Sequence, residues 1–331
     1  MMRSSDNNTE NEVRYVLASA LTLVLAACAS YPAPPSVALP SQVPDAIEAQ
    51  LVQIGRIIDP PRTAALYAPL QQREPYAGVK VARAERFGPD PQRNLLDVFT
   101  PAANGGAPRP VLVFVHGGGY VAGARRVGSA PFYDNVGLWA VRNGMVAVTT
   151  TYRLAPQNKW PAVQEDLAAT IAWVRENIAA RGGDPNRIYL LGHSAGATHV
   201  AQYVGHPRFH VEPGGGIAGA IMLSGTFDPS TVDATPGMQA YFGTDPSVYP
   251  RRSALPGMAA TRLPLMVAYA ELDPSNFHEQ AEQAQAALCA AGRCGPLLQL
   301  RGHSHMSEVY AINTADSALG DAIRGFVFGR R

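Results

Sequence analysis

Short apolar runs recur along the chain from about residue 79, and longer segments of mixed polarity separate them. The run VLVFVHGGG (111–119) is continuously apolar and ends in glycines, which is typical of a strand buried on both faces. Two earlier segments, KVARAERFG and NLLDVFTP, predict an antiparallel pair of strands ahead of it. Further runs of the same apolar form occupy 145–153, 187–194, 216–225, 263–271 and 295–304.

The segments between these predicted strands carry helical periodicity. In AVQEDLAATIAWVRENIAAR, one apolar stripe is formed by Val163, Leu167, Ile171, Val174 and Ile178. Residues 45–59 have a similar apolar spacing and predict a helix. Because strands alternate with helices, we predict the α/β class, with a mostly parallel central sheet and helices on both faces.

The longest stretch without a clear periodic element is 226–262. An insert of this length in a compact domain is more often functional than idle. Together with 45–78, it is predicted to form a small cap over the functional site, within one domain that covers 45–331.

The N-terminal segment is predicted to be a targeting signal. Residues 15–30 are an apolar run that follows Arg14 and is too short to span a bilayer comfortably, so 1–28 is interpreted as a secretory signal. The sequence LAAC, ending at Cys28, resembles a bacterial lipobox, in which the cysteine is lipidated. A plain cleaved signal with an incidental cysteine is the alternative. The proline-rich stretch 29–44 then predicts a tether.

These features predict a location in a bacterial cell envelope, attached by a lipid on Cys28 and facing the periplasm or the exterior. Ala29 lacks the aspartate associated with inner-membrane retention, which favours the outer membrane. Residues 1–12 are acidic, whereas a signal normally starts with positive charge, so translation is expected to begin near Val13. An inactive reporter fusion to the shorter form would contradict that start.

Composition and charge narrow the range of functions. The 331 residues carry a formal net charge of +1 and are 47% hydrophobic, which is ordinary for a globular protein. Near-neutral charge offers no electrostatic case for binding nucleic acid, or a membrane other than through the lipid anchor. The pairs Arg125–Arg126 and Arg251–Arg252 are too short to form basic patches and are interpreted as solvated surface.

Cys289 and Cys294 lie in LCAAGRCG, separated by four residues. In an oxidising compartment this spacing is compatible with a local disulfide, and two free thiols are the alternative. A zinc site would need further cysteine or histidine residues close by, and the segment has none.

The strongest chemical signal is RIYLLGHSAGATHVAQYV. A predicted strand leads into Gly192-His193-Ser194-Ala195-Gly196, and a predicted helix follows. A nucleophile elbow needs this spacing, because side chains two residues before or after the serine would clash with neighbouring backbone. Ser194 is therefore the candidate nucleophile, and His193 is expected to pack on the elbow.

A second signal, His116-Gly117-Gly118-Gly119-Tyr120, ends an earlier predicted strand. Glycines at such a position let backbone N–H groups approach a substrate oxygen closely. We therefore predict that the N–H groups of Gly118 and Gly119, with that of Ala195, form an oxyanion hole. A phosphate-binding loop is the alternative, but the lysine and spacing of a P-loop are absent. His116 is interpreted as structural.

At these motifs the chain resembles the α/β-hydrolase esterases related to hormone-sensitive lipase and to bacterial carboxylesterases. The resemblance covers roughly residues 80–325, and its carriers are VFVHGGGYVAG, TYRLAPQNKWPAVQEDLAATIAWV and GGDPNRIYLLGHSAGA. It implies the α/β-hydrolase fold, an oxyanion hole in the glycine loop, and a catalytic triad in the order serine, acid, histidine.

Two acids and two histidines compete for the remaining positions of that triad. Asp273 lies just past a predicted strand and matches the family's position, whereas Glu271 lies closer to that strand, so Asp273 is predicted. In RGHSHMSEVY, His303 is still close to the last strand. His305 lies deeper in the loop, and relatives with a similar sequence use the second histidine. His305 is therefore the predicted base.

The residues and the resemblance together predict a serine hydrolase of the carboxylesterase type (EC 3.1.1) that cleaves small carboxylic esters through an acyl-enzyme. No metal or organic cofactor is implied, and the expected partner is a small-molecule ester. An amidase, formamidase or peptidase of the same fold is one alternative, because the acyl step is shared. An inactive binding lipoprotein of the envelope is another. Oligomeric state has no signal in the sequence.

Overall fold

The computed structural model describes residues 36–103 and 105–329. The predicted signal, the lipid attachment at Cys28 and the translation start near Val13 lie outside the described residues and stay predictions. No described helix is both long and apolar enough to cross a membrane.

The described residues form one nine-stranded sheet. Its strands are β1 (Val37–Leu39), β2 (Val79–Arg86), β3 (Leu95–Pro101), β4 (Arg109–Val115), β5 (Val146–Thr150), β6 (Gly183–His193), β7 (Gly219–Leu223), β8 (Leu265–Ala270) and β9 (Leu297–Leu300). Their order across the sheet is β1-β9-β8-β7-β6-β4-β5-β3-β2. Neighbours are parallel from β1 to β5, and only the β5–β3 and β3–β2 pairs are antiparallel.

Helices follow most of the strands. They are α1 (Asp45–Ile54), α2 (Pro60–Tyr67), α3 (Asp134–Arg142), α4 (Ala162–Asn177), α5 (Ala195–Gly205), α6 (Pro236–Phe242), α7 (Leu255–Ala260), α8 (Ser275–Ala290), α9 (Ser307–Tyr310) and α10 (Ala318–Phe328). Short 3-10 turns cover Ala68–Leu70, Ala179–Arg181, Pro207–Phe209, Pro229–Thr231 and Pro246–Arg252.

The central strand β4 shows how the sheet is covered. Val111, Val113 and Val115 belong to one hydrophobic core, and the alternating Leu112 and Phe114 belong to another. Because successive side chains of a strand point to opposite faces, both faces of the sheet are buried. The predicted fold class, a mostly parallel central sheet with helices on both faces, is confirmed.

The predicted tether over 29–44 is wrong in its second half, because Val37–Leu39 pairs in parallel with β9 at the edge of the sheet. Val43 is also buried, with 6% of its surface exposed. Without this segment, β9 would be the edge strand of the sheet, with backbone N–H and C=O groups unpaired on its outer side; β1 pairs with them. The folded domain therefore begins by residue 37 rather than at 45. Proline-rich composition could not reveal a pairing partner that lies 261 residues further along the chain (298 − 37).

The helix predicted over 45–59 is also shorter than expected. It ends at Ile54, and Gly55 follows with φ of +81°. Such a left-handed conformation suits glycine and terminates a helix. The chain then turns, and Pro60 opens α2, with the Asp59 side chain accepting a hydrogen bond from the N–H of Arg62.

The segment 226–262 contains no strand; it contains α6, α7 and two 3-10 turns. Its large apolar side chains, including Phe227, Tyr241 and Phe242, are fully buried against the core on one face of the sheet. The segment is therefore packed onto the domain along much of its length. Cys289, in the last turn of α8, is joined by a disulfide to Cys294, which follows the helix.

Candidate active site

Ser194 lies in the turn between β6 and α5, at the carboxyl edge of the parallel strands. Its backbone has φ of +58° and ψ of −125°, a strained conformation for a residue with a side chain. Its N–H donates to the carbonyl of Leu223 on the neighbouring strand at 2.9 Å, which holds the turn in place. This geometry is that of a nucleophile elbow.

The glycines around Ser194 are required by close backbone contacts. A Cβ atom on Gly196 would lie 2.1 Å from the carbonyl oxygen of Val115, and one on Gly192 would lie 2.5 Å from the oxygen of Gly196. On Gly117, a Cβ would lie 2.9 Å from the Cβ of Ser194. Each distance is too short for a real side chain, so the spacing seen in the sequence has a steric cause.

The structure brings Ser194, His305 and Asp273 together in one row. The Oγ atom of Ser194 lies 2.8 Å from Nε2 of His305, and Nδ1 of His305 lies 2.7 Å from Oδ1 of Asp273. His305 and Asp273 are completely buried. The second oxygen of Asp273 accepts hydrogen bonds from Oγ of Ser224 at 2.6 Å and from the N–H of Ala270 at 2.8 Å.

The two competing residues have other contacts. Glu271 accepts a hydrogen bond from the N–H of Gly302 at 2.8 Å, which ties the end of β8 to the loop after β9. His303 has its Nε2 atom 2.9 Å from Oδ2 of Asp316 and its Nδ1 atom 3.1 Å from Oγ of Ser307. Neither residue is hydrogen-bonded to Ser194 or to His305.

The predicted oxyanion donors surround the serine. Gly118 and Gly119 have φ of +129° and +58°, and a Cβ on Gly118 would lie 2.2 Å from the carbonyl oxygen of Ala122. Within the described chain, the N–H groups of Gly118, Gly119 and Ala195 donate to no backbone carbonyl. Ala195 opens α5, so the positive end of that helix adds to the attraction for negative charge.

A cavity of about 570 Å³ opens over these groups. Ser194, His305 and the three predicted oxyanion donors all line it. Both predicted cap segments contribute to its wall, 45–78 through Ile58 and Pro60, and 226–262 through Thr226, Thr235 and Met238. Most of the remaining wall is apolar or aromatic and is formed by Tyr120, Val127, Tyr133, Phe277, Met306 and Tyr310.

Sequence reasoning missed two residues that support the row. Ser224, which directly follows β7, donates a hydrogen bond to Asp273. Glu308, in the first turn of α9, is buried and interacts electrostatically with Asp273. One oxygen of Glu308 lies 3.2 Å from Nε2 of His193, and His193 Nε2 is 2.8 Å from the backbone oxygen of His305. The only local signal was an acid within the otherwise apolar stretch that follows His305.

Burial disfavours the charged forms of both His193 and Glu308. It lowers the pKa of His193 to about 4, although the hydrogen bond to the His305 carbonyl opposes the change. Burial also raises the pKa of Glu308 well above its ordinary value, and the charge of Asp273 raises it further. The imidazole of His193 is therefore neutral at pH 7, and burial disfavours the charged form of the Glu308 carboxyl group.

Glu308→Gln is expected to become more stable relative to wild type as pH increases. The quantity that rises is the free energy of unfolding of the variant minus that of wild type. Because the folded-state pKa lies above the unfolded value of 4.5, the stability contributed by the bound proton is complete below that value and is lost as pH rises through the folded pKa. Glutamine keeps the shape and has no such proton. Urea unfolding of both proteins at about pH 5 and about pH 8 measures the difference. A pH-independent difference would contradict a protonated Glu308.

His193, His305 and Glu308 are also close enough to be considered as metal ligands, since their ligand atoms lie within 4.8 Å of one another. However, histidine nitrogens that could bind a metal already have hydrogen-bond partners in the protein. Both ring nitrogens of His305 face Ser194 and Asp273, and Nε2 of His193 faces a carbonyl. With both of its ring nitrogens hydrogen-bonded in this way, His305 has no nitrogen left for a metal ion.

The interpretation of Arg125 and Arg126 as solvated surface is wrong. Arg125 donates from Nε to the buried Asp97 at 2.6 Å, and its side chain is only 16% exposed. Arg126 lines the cavity. Charged pairs look alike in a sequence, and only the fold of the loop after Gly119 turns these two inward.

The chain is similar in sequence to known esterases. Residues 96–212 match the protein family named BD-FAE. The chain is 27% identical over 266 residues to esterase LipQ of Mycobacterium tuberculosis (strain ATCC 25618 / H37Rv), covering 74% of this chain and 62% of LipQ. It is 39% identical over 122 residues to isoprenylcysteine alpha-carbonyl methylesterase ICME of Arabidopsis thaliana, covering 37% of this chain and 27% of that protein. The chain thus spans less than two thirds of the length of either relative.

Among solved structures, esterase B from Lactobacillus rhamnosis superposes with a TM-score of 0.65. The two sequences are 17% identical, and the match covers 85% of this chain and 93% of the esterase. At this identity the similarity concerns the fold. The chain therefore has the α/β-hydrolase fold, and the resemblance of its motifs to the esterases of that fold is confirmed.

Proposed function

We propose that this protein hydrolyses small carboxylic esters through an acyl-enzyme on Ser194. The observation that carries the proposal is the hydrogen-bonded row Ser194–His305–Asp273, which opens onto the same cavity as the N–H groups of the glycine loop. A nucleophile, a base within 2.8 Å of it and an acid that orients the base are the components of serine hydrolysis.

In the first half of the reaction, Oγ of Ser194 attacks the ester carbonyl while Nε2 of His305 takes its proton. Asp273 accepts the Nδ1–H hydrogen bond, which selects the tautomer with a free Nε2 and stabilises the imidazolium. The carbonyl oxygen becomes an oxyanion and receives hydrogen bonds from the N–H groups of Gly118, Gly119 and Ala195. The alcohol then leaves with the proton from His305.

In the second half, a water molecule replaces the alcohol. His305 removes a proton from this water, the resulting hydroxide attacks the acyl carbon, and the same N–H groups stabilise the second oxyanion. Collapse of that intermediate breaks the bond to Ser194, and the proton returns from His305 to Oγ. The acid product leaves, and the enzyme is restored without a cofactor.

The cavity supports a small, largely apolar substrate. Its volume of about 570 Å³ lies within the range for small-molecule sites, and its aromatic and aliphatic wall suits acyl or alkyl groups. LipQ and the Lactobacillus protein are named as esterases, which is in keeping with this substrate class.

We also propose that the protein is anchored in a bacterial cell envelope by a lipid on Cys28, as the N-terminal sequence predicts. The catalytic domain would then act at the membrane surface, on the periplasmic or the outer side. Labelling with a radioactive fatty acid, lost on Cys28→Ala, tests this attachment. Label that persists in the Cys28→Ala protein would contradict it.

The proposed activity is tested with the purified full chain on para-nitrophenyl esters of increasing acyl length and on the matched anilides. We expect ester turnover that falls once the acyl chain outgrows the cavity, together with labelling of Ser194 by a fluorophosphonate. Comparable rates on anilides would indicate an amidase instead. No turnover and no labelling would contradict a serine hydrolase and favour a binding protein.

A further inference from the structure

Arg126 is the only side chain with a permanent charge among the described residues that line the cavity. It follows the glycine loop, on the same wall as Gly123, Ala124 and Val127. Its side chain is 35% exposed, so it is neither buried in the core nor free on the surface.

The guanidinium of Arg126 makes no hydrogen bond to any described residue. Its Nη2 atom lies 4.0 Å from Oε2 of Glu74 and 4.0 Å from Oδ2 of Asp134, beyond hydrogen-bonding distance. Its Nε atom is buried and has no protein acceptor. A buried donor without an acceptor is unfavourable and asks for an explanation.

The neighbouring carboxylates are already occupied by other donors. Asp134 receives both Nη atoms of Arg83, at 2.8 and 2.6 Å, and the hydroxyl of Tyr76 at 2.7 Å. Arg83 also donates to Glu74 and to Asp97. Arg83 therefore organises the acids of this cluster, and Arg126 is left with its N–H donors available to the cavity.

Charge balance defines what Arg126 can recognise. Three arginines (Arg83, Arg125 and Arg126) face three acids (Glu74, Asp97 and Asp134), so the cluster has no net charge. Selectivity for an anion therefore depends on direct contact with the guanidinium. The planar fork of N–H groups on an arginine matches the two oxygens of a carboxylate, and such charge-assisted pairs are the stronger hydrogen bonds.

We propose that Arg126 binds a carboxylate of the substrate, so that the preferred esters carry a carboxylate on either the acyl or the alcohol part. This inference rests on the proposed esterase function. The ester carbonyl would lie at Ser194, the apolar wall would hold the connecting carbons, and the carboxylate would lie against Arg126.

Two pairs of esters test the proposal and distinguish the two positions of the carboxylate. The acyl pair is the para-nitrophenyl half ester of adipic acid and a neutral ester in which an isopropyl group replaces the carboxylate. The alcohol pair is para-butyryloxybenzoate and the phenyl butyrate that carries a para-isopropyl group. The proteins are wild type, Arg126→Gln, Arg126→Lys and, as a charge-matched control, Arg142→Gln, since Arg142 contacts Gln72 and Asn313 rather than the cavity.

In at least one pair, Arg126→Gln is expected to lower kcat/KM for the carboxylate ester by about tenfold to a hundredfold, and to change the neutral ester by less than about threefold. For Arg126→Lys, kcat/KM for the carboxylate ester should lie between the values for wild type and Arg126→Gln. Lysine keeps the positive charge but lacks the planar fork of N–H groups. Arg142→Gln should behave as wild type. Equal losses on both members of both pairs, or no loss, would overturn the proposal.

A binding measurement separates this proposal from the esterase function. The ether para-butoxybenzoate has the shape and charge of the alcohol-side substrate, and it cannot be hydrolysed. Calorimetric titration should show at least about tenfold weaker binding to Arg126→Gln than to wild type if the carboxylate lies on the alcohol part. If this difference in binding were found in a protein that hydrolyses no ester, it would contradict the esterase function and leave the role of Arg126 intact. If wild type and Arg126→Gln bound the ether equally, and the substitution affected both esters of the acyl pair equally, the role of Arg126 would be contradicted and the esterase function would not.

Discussion

Ser194→Ala is expected to lower kcat for ester hydrolysis by about 10⁵-fold or more, with KM little changed. The substitution removes the only atom that bonds to the acyl group and leaves the cavity and the oxyanion donors in place. Because alanine keeps the Cβ atom, the backbone at φ of +58° is no more strained than before. The residual rate would come from substrate binding and the oxyanion hole alone.

The matched control is Ser230→Ala, an exposed serine that hydrogen-bonds Asp228 and does not line the cavity. We expect wild-type kcat from this control. Steady-state kinetics and fluorophosphonate labelling of the three proteins provide the measurement. If Ser194→Ala retained more than about a hundredth of wild-type kcat, another nucleophile would carry the reaction and the assignment of Ser194 would be wrong.

His305→Gln is expected to lower kcat by about 10⁴-fold or more, because glutamine has no group that can take the proton of Ser194 near neutral pH. The loss should fall on both half-reactions, since the proposed mechanism uses His305 in acylation and in deacylation. His303→Gln, the same substitution two residues earlier, is the comparison. It removes the contacts to Asp316 and Ser307, and we expect kcat within about tenfold of wild type.

His303 is expected to contribute to the stability of the fold rather than to turnover. His303→Gln breaks a buried contact of 2.9 Å to Asp316 and should lower the free energy of unfolding by about 1 to 3 kcal/mol. Urea unfolding measured beside kcat tests both expectations. Loss of kcat in His303→Gln equal to that in His305→Gln, with unchanged stability, would show that the base has been assigned to the wrong histidine.

The elbow and the glycine loop could be recognised from the sequence because each is a short motif with fixed spacing. Gly192 and Gly196 are needed where a Cβ would meet backbone within about one helical turn or on the adjacent strand. The parallel strands were also recognisable, since a strand covered on both faces is apolar along its whole length. Element ends were less accurate, as the end of α1 at Ile54 shows.

The residues that sequence reasoning missed depend on contacts between distant segments. Ser224 meets Asp273 across two adjacent strands, and Glu308 meets His193 through the fold of the loop after β9. Arg126 is directed into the cavity because Arg83 occupies the nearby acids. In each case the partner is far away along the chain, so no periodicity or spacing records the contact.

By itself, the sequence determined the α/β class, the strand–elbow–helix around Ser194 and the glycine loop, because steric rules and hydrophobic periodicity act over a few residues. It also favoured Asp273 over Glu271 as the candidate acid and His305 over His303 as the candidate base. Only the tertiary structure joined Asp273 and His305 to Ser194 and engaged the other two elsewhere. The sequence could not show these contacts, because a hydrogen bond depends on distance and direction, and strand order across the sheet sets both.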